Sequence, residues 1–155
     1  MMKNLIRIAF VASFVMLFGV IANAQSVSGS IAGGKITRGK AGKATVTLTI
    51  PGGLHVNSNR PNSEYAIATR VSASAPGAKV GAVSYPRGTN RTFAFSDKPL
   101  NVYEGRVPFT FNVTVPGTFR GNSLRVNVTV KYQACTNEVC YAPKSKQVTL
   151  TASVN

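Results

Sequence analysis

Apolar and polar residues alternate along four long segments of the chain, which span residues 44–50, 109–115, 124–132 and 148–154. In the first segment, "ATVTLTI", threonines separate the apolar side chains. A period of two residues places alternate side chains on opposite faces of an extended strand. Each segment is therefore predicted to form a half-buried antiparallel strand with one apolar and one polar face.

Shorter apolar runs predict further strands near residues 27–31, 66–73, 80–85 and 92–95. Turn sequences rich in glycine, proline and asparagine separate the runs, among them "PGGL", "NSNRPNS", "APGA" and "VPGTFRGN". No stretch shows a convincing helical period. About seven to nine short strands with regular turns predict an all-β chain, and specifically an immunoglobulin-like antiparallel β-sandwich.

Residues 1–24 have the pattern of a secretory signal peptide. A short basic region at Lys3 and Arg7 precedes an apolar run over residues 8–22, and "ANA" then supplies the small residues of a cleavage site. The run is short for a membrane span, which needs about 20 apolar residues. We therefore expect cleavage to leave residues 25–155 as a single soluble domain that is exported to the periplasm.

The chain is strongly basic, with 18 Lys and Arg residues against four Asp and Glu residues and a formal net charge of +14. The signal peptide contains two of the basic residues and none of the acids, so the remaining charge is +12 (14 − 2). A charge of this size favours association with anionic surfaces. The basic residues are scattered singly, however, which is typical of solvated strand faces, and nucleic acid is not expected as a partner of an exported chain.

Few residues of this chain are suited to catalysis or metal binding. It has one histidine, His55, four scattered acids and no G-x-S-x-G motif. A structural zinc site needs four ligands, and no motif here supplies them, so neither a metal nor a cofactor is expected. His55 is interpreted as a packed or surface histidine, or as a group that assists the cysteines if the fold brings them together.

The two cysteines, Cys135 and Cys140, lie in the segment "YQACTNEVCYAPK". A disulfide that closes so short a loop contributes only about 2 kcal/mol to stability. The pair follows the predicted strand 124–132, at a loop tip that solvent or a partner protein can reach, and a sulfur must be accessible if a thiolate is to attack it. On these grounds a structural disulfide and a redox pair are equally open.

The segment "YQACTNEVCYAP" resembles the cysteine segment of the amino-terminal periplasmic domain of the thiol:disulfide interchange protein DsbD. The segments "IPGGLHVNSNRP", "VSYPRG" and "FAFSDKPLNVYEG" resemble other parts of that domain in the same order, and the resemblance covers most of residues 43–150. It implies an immunoglobulin-like domain that passes reducing equivalents through its two cysteines, which are Cys135 and Cys140 here.

The resemblance also implies partners and a cap loop. A thioredoxin-like protein or a membrane electron transporter would supply electrons in trans, and periplasmic disulfide-bearing proteins would accept them. An aromatic-bearing loop covers the cysteines in that family, and Phe95 matches it, with Ser96 and Asp97 in the same loop; a core position is the alternative for Phe95. The alternative for the whole chain is a non-enzymatic basic β-sandwich that binds an anionic partner and has a structural loop disulfide.

Overall fold

The computed structural model describes residues 24–155. The predicted signal peptide, apart from its last residue, lies outside this range. No helix within the described range is long and apolar enough to cross a membrane.

The described residues form short and long β-strands and one short 3-10 helix, Ala32–Gly34. The strands, in chain order, are β1 (Ser26–Ile31), β2 (Lys35–Ile36), β3 (Ala41–Thr49), β4 (His55–Asn57), β5 (Arg70–Ser74), β6 (Lys79–Val80), β7 (Thr89–Arg91), β8 (Leu100–Tyr103), β9 (Arg106–Thr114), β10 (Ser123–Tyr132), β11 (Ala134–Cys135) and β12 (Lys144–Val154).

Two four-stranded sheets form the sandwich, in the orders β1-β3-β9-β6 and β2-β12-β10-β5. Their strand pairs are antiparallel except for β2 and β12, which run parallel. The predicted all-β, immunoglobulin-like sandwich is therefore confirmed, with this one parallel pair as an addition.

The core lies between the inner faces of the long strands. Val46, Phe109, Val128 and Leu150 are buried and belong to one hydrophobic cluster that joins the two sheets. Their neighbours in sequence, which are threonines and asparagines apart from Pro108, belong to the outer faces, as the alternation predicts. All four strongly alternating segments lie in or at the end of the long strands β3, β9, β10 and β12.

The weaker strand predictions have mixed outcomes. Residues 27–31 lie in β1, but only the second half of 66–73 is extended, in β5, and only the start of 80–85, in β6. The prediction of a strand at 92–95 is wrong. The pairing of β7 with β8 ends at Arg91, and the chain turns at residues 94–95, where the Phe93 and Phe95 rings stack on each other.

A third, smaller sheet has the order β11-β4-β8-β7. Val56, Tyr103 and Ala134 project from it into the common core. The antiparallel pairing of β3 with β9 ends at Thr49 and Arg106, and the pairing of β4 with β8 resumes at Val56 and Tyr103. The ladder is interrupted between them because six residues (50–55) lie between the paired positions on one strand and only two (104–105) on the other. This small sheet positions the cysteines.

Candidate thiol–disulfide site

Cys135 and Cys140 form a disulfide at the edge of the small sheet. Cys135 is the last residue of β11, and its Cα atom lies 4.0 Å from that of Cys140. The two cysteines differ in accessibility, since Cys135 is fully buried and Cys140 is exposed. An incoming thiolate can therefore reach only one side of this disulfide, at Cys140.

A tight turn over residues 136–139 holds the two cysteines together. The Thr136 backbone N–H donates to the Val139 carbonyl oxygen at 2.8 Å. The Thr136 hydroxyl oxygen accepts hydrogen bonds from the backbone N–H groups of Glu138 and Val139, each at 3.1 Å. Threonine commonly stabilises a turn in this way, so the loop keeps its shape through its own local hydrogen bonds.

Hydrogen bonds also attach the far end of the loop to the small sheet. The Tyr141 backbone N–H donates to the Ala134 carbonyl at 2.9 Å, and the Gln133 side-chain amide donates to the Tyr141 carbonyl at 3.1 Å. The buried Asn57 amide of β4 in turn donates to the Gln133 side-chain oxygen at 3.3 Å. Cys140 thus lies between Val139, which is bonded within the turn, and Tyr141, which is bonded to the sheet.

His55 lies directly opposite Cys135 in the β11–β4 ladder. It is 2% exposed, and its ring stacks on Phe93 with a centroid distance of 4.1 Å and an angle of 14°. Burial lowers the pKa of His55 below its usual value, and the negative charge of Glu104 partly opposes this effect. Its Nε2 atom is buried without a hydrogen-bond partner.

The predicted cap residue Phe95 continues the same stack. Its ring lies 5.3 Å from that of Phe93 at an angle of 8°, and the side chain is 40% exposed. Phe93, with 7% exposure, is the buried aromatic of this loop. The Ser96 backbone N–H donates to the Phe93 carbonyl, and the Ser96 hydroxyl donates to the Lys98 carbonyl. Both of these hydrogen bonds are short-range, and residues 92–99 belong to none of the strands.

A groove of about 630 Å³ runs between the cap loop and the cysteine loop. Cys140 lines it together with the three residues predicted for the cap loop, Phe95, Ser96 and Asp97. Tyr65 forms part of its wall, with Glu64 and Lys98 also present. The structure therefore brings the predicted cap loop to the exposed cysteine, which remains exposed with the loop in this position.

Exposed apolar side chains lie in the groove wall and beside Cys140 in the sequence. Tyr65 is 88% exposed and lines the groove, while Val139 and Tyr141, on either side of Cys140 in the sequence, are 53% and 49% exposed. An apolar area of this kind on the surface of a protein is typical of a site where a partner binds. The sequence offered no signal for this cluster, because its members come from separate loops.

His55 was considered from the sequence as a group that could assist the cysteines, but its contact with Phe93 and the roles of Asn57 and Gln133 were not identified. The stack of His55 on Phe93 and the bond between Asn57 and Gln133 join β4 to distant segments. Within residues 24–155, no group of three or more His, Cys, Asp or Glu side chains is placed to hold a metal ion.

The model of one protein family matches this chain over residues 29–152. The family is described as the amino-terminal domain of the thiol:disulfide interchange protein DsbD. This chain belongs to that family. Because family membership coincides with an accessible Cys135–Cys140 disulfide, the chain is a thiol–disulfide exchange domain of the DsbD amino-terminal type.

Solved structures of DsbD-type domains resemble this chain at low sequence identity. The amino-terminal periplasmic domain of ScsB from Proteus mirabilis is 14% identical with a TM-score of 0.53, over 84% of this chain and 47% of that one. A structure of the complex between the DsbD and PilB amino-terminal domains from Neisseria meningitidis is 16% identical with a TM-score of 0.50. The match covers 82% of this chain and 82% of that one.

The reduced DsbD amino-terminal domain from Neisseria meningitidis is 17% identical with a TM-score of 0.47, over 71% of this chain and 77% of that one. No curated protein matches the sequence. The ScsB and DsbD–PilB likenesses show a shared fold. This chain spans about half of the ScsB domain.

Proposed function

We propose that residues 25–155 act as one periplasmic domain that carries reducing equivalents through the Cys135–Cys140 pair. A thioredoxin-like protein or a membrane electron transporter, acting in trans, reduces the pair. The reduced pair then transfers electrons to periplasmic proteins that contain disulfides. The observation that carries this proposal is the exposure of Cys140 in a groove beside a fully buried Cys135.

The difference in exposure assigns a role to each sulfur. In the reducing half of the cycle, the donor's thiolate attacks Cys140 Sγ, and the Cys135–Cys140 bond breaks with its electron pair on Cys135. A second donor thiolate then breaks the mixed disulfide, so the donor is oxidised and the domain gains two electrons and two protons. The buried Cys135 is protected from external thiolates, because a sulfur must be accessible to be attacked.

The cap loop is proposed to control access to Cys140. Phe95 contacts the small sheet by stacking on Phe93, and the loop is held by short-range hydrogen bonds. Segments with few ladder bonds and exposed side chains open at low free-energy cost. A docking partner can therefore displace Phe95 and widen the groove without breaking the sheet.

The exposed apolar cluster around Cys140 is proposed as the docking surface for the thioredoxin-like partner. Tyr65 and Phe95 line the groove with Cys140, and the exposed Val139 and Tyr141 flank Cys140 in the sequence. Aromatic side chains are enriched at protein interfaces. The DsbD amino-terminal domain of Neisseria meningitidis, which shares this fold, has been solved in complex with the PilB amino-terminal domain. A periplasmic location agrees with the predicted signal peptide and with the periplasmic ScsB domain.

Mixed-disulfide trapping tests the proposal. The Cys135→Ser variant keeps the exposed Cys140 but lacks the sulfur that would resolve a mixed disulfide. It is expected to accumulate covalent complexes with periplasmic thioredoxin-like and disulfide-bearing proteins, identified by mass spectrometry after non-reducing electrophoresis. The matched Cys140→Ser variant keeps only the buried Cys135 and is expected to trap almost nothing.

The reduction potential of the pair provides an independent check. Equilibration of the wild-type domain with glutathione buffers is expected to give a potential above about −300 mV, since stable structural disulfides lie below that value. A potential well below it, together with equal trapping by the two single variants, would show that the disulfide is a structural staple.

A further inference from the structure

His55 is a buried titratable side chain beside the disulfide to which the exchange steps above assign no role. It is directly opposite Cys135 in the β11–β4 ladder and is 2% exposed. Residues directly opposite in an antiparallel ladder project from the same face, with Cβ atoms about 4.5–5.5 Å apart. His55 therefore lies beside the buried cysteine, on the side of the disulfide that solvent does not reach.

The surroundings of His55 contain few other charged groups. Phe93 covers one face of the ring. Glu104, which follows β8, acts on His55 electrostatically, and Arg91 of β7 forms an ion pair with Glu104 at 2.8 Å. Glu104 is the charged group with an electrostatic effect on His55, Arg91 acts on it through Glu104, and Cys135 is its neighbour in the ladder. The imidazole thus has one carboxylate nearby, already paired, and one cysteine.

The Nε2 atom of His55 is unpartnered in a structure in which Cys135 is oxidised. A buried polar nitrogen normally has a hydrogen-bond partner. In the disulfide state Cys135 has no proton to donate, and Nε2 is left without a partner. When Cys135 is reduced, its thiol supplies an S–H donor on the same face of the ladder. A hydrogen-bond donor opposite His55 in the ladder is thus available in the dithiol state and lost in the disulfide state.

We propose that His55 accepts the proton of the Cys135 thiol when the domain reduces a partner and returns it when the domain is itself reduced. In the first direction, Cys140 is already joined to the partner in a mixed disulfide. The Cys135 proton passes to His55 Nε2, and the Cys135 thiolate attacks Cys140 Sγ. The bond between Cys140 and the partner breaks, and the partner's sulfur leaves with the electron pair. The domain is oxidised and the partner is reduced.

Burial supports this role, because it keeps His55 neutral and able to accept a proton at neutral pH. It also disfavours an unassisted Cys135 thiolate, since burial in apolar surroundings raises the pKa of a thiol. If His55 accepts the proton, the attack of Cys135 on Cys140 Sγ in the mixed disulfide requires only that the imidazole be neutral. Because the pKa of His55 lies below its ordinary value of about 6.5, the rate should already be on its plateau at that pH and above.

The inference rests on the proposed function, and one experiment examines the two separately. The reduced full-length mature domain is mixed with oxidised glutathione, quenched with acid at intervals and analysed by mass spectrometry. The first step adds glutathione to Cys140, and the second converts this adduct to the Cys135–Cys140 disulfide. The first step is measured alone in a Cys135→Ser background. The absence of the glutathione adduct in Cys135→Ser, together with no formation of the Cys135–Cys140 disulfide in the wild type, would overturn the proposed function and the inference together.

The His55→Gln variant distinguishes proton transfer from a packing role. In the wild type, the second step should be nearly independent of pH between 6.5 and 8. In His55→Gln, it should be at least about tenfold slower at pH 7 and should rise about tenfold per pH unit, as the thiolate fraction does. The first step in the Cys135→Ser background should not change with His55→Gln. Equal rates and pH profiles for the second step in wild type and His55→Gln would overturn the inference.

Two variants at exposed positions test the same inference without altering the buried ring. Glu104→Gln removes the charge that raises the pKa of His55, so the plateau should begin at lower pH. Arg91→Gln removes the partner of Glu104, so the plateau should begin at higher pH. Opposite shifts in the two variants support proton transfer through His55 even if His55→Gln does not fold. Unchanged profiles in both variants would contradict it.

Discussion

The sandwich and the small sheet are built on different principles. In the sandwich, long strands such as β3 and β10 bury every second residue and expose the others. In the small sheet, the three residues of β4 are all buried, including His55 and Asn57. Val56 faces the common core, while His55 and Asn57 lie on the face beneath the cap loop and the groove.

The sandwich therefore contributes most of the stability of the fold, whereas the small sheet holds the residues of the exchange site. The sandwich buries apolar side chains between two sheets, and its inward face contains no reactive group. The small sheet buries polar atoms that remain without hydrogen-bond partners, at His55 and Asn57, beside the disulfide. Unsatisfied buried polar atoms reduce stability and are uncommon in native proteins. A small sheet attached to a stable sandwich can tolerate them.

Phe109→Ala is expected to have the largest effect on the free energy of unfolding. Phe109 is fully buried in the sandwich and makes edge-to-face contacts with Tyr85 and Tyr103. Removal of a buried phenylalanine side chain costs about 3–5 kcal/mol. Urea unfolding would measure the loss, and the exchange rate of the folded fraction should stay close to the wild-type rate. A large fall in that rate would mean that the sandwich and the site are not separable.

The Cys135→Ser, Cys140→Ser double variant is expected to lose about 2 kcal/mol, because the disulfide closes only a short loop. The fold should remain, while all exchange activity is lost. The wild type reduced with dithiothreitol is the matched control and should lose stability to a similar extent. A loss as large as that of Phe109→Ala would indicate that the disulfide supports the sandwich as well as its own loop.

A smaller, pH-dependent effect is expected from His55. Its pKa is lowered in the folded state, so the unfolded chain binds the proton more readily. The contribution of neutral His55 to stability is therefore complete above about pH 6.5, the unfolded pKa, and is lost as the pH falls through the lower folded pKa. Urea unfolding between pH 5 and 7.5 should show this slope in the wild type, and His55→Gln should lack it.

Phe95→Ala is expected to change stability least, by less than about 1 kcal/mol, because the side chain is already 40% exposed. Its effect should be kinetic: reduction of the disulfide by dithiothreitol should become several-fold faster when the cap side chain is absent. Tyr65→Ala, on another part of the groove wall, is the control. Equal acceleration in both variants would assign the effect to a wider groove rather than to the cap.

The sandwich could be predicted from the sequence because each long strand has one face in the core and one in solvent. The alternation of Val46 and Leu48 with threonines follows directly from that arrangement of one buried and one exposed face. The small sheet has no such alternating pattern in its sequence, because both faces of β4 are covered and its polar residues are buried. Phe95 was identified through a family resemblance, whereas the stack of His55 on Phe93 depends on two segments that meet only in the folded chain.

The acidic residues of the chain lie close to the site despite the large positive charge. Glu64 and Asp97 line the groove, Glu138 is in the cysteine loop, and Glu104 follows β8. Their carboxylates offset part of the positive charge around Cys140. The groove is lined by two carboxylates and one ammonium group, at Glu64, Asp97 and Lys98, so its lining carries a formal charge of −1 (1 − 2) in a protein of large positive charge. That local charge acts over about 10 Å at 0.1 M salt and over shorter distances at higher ionic strength.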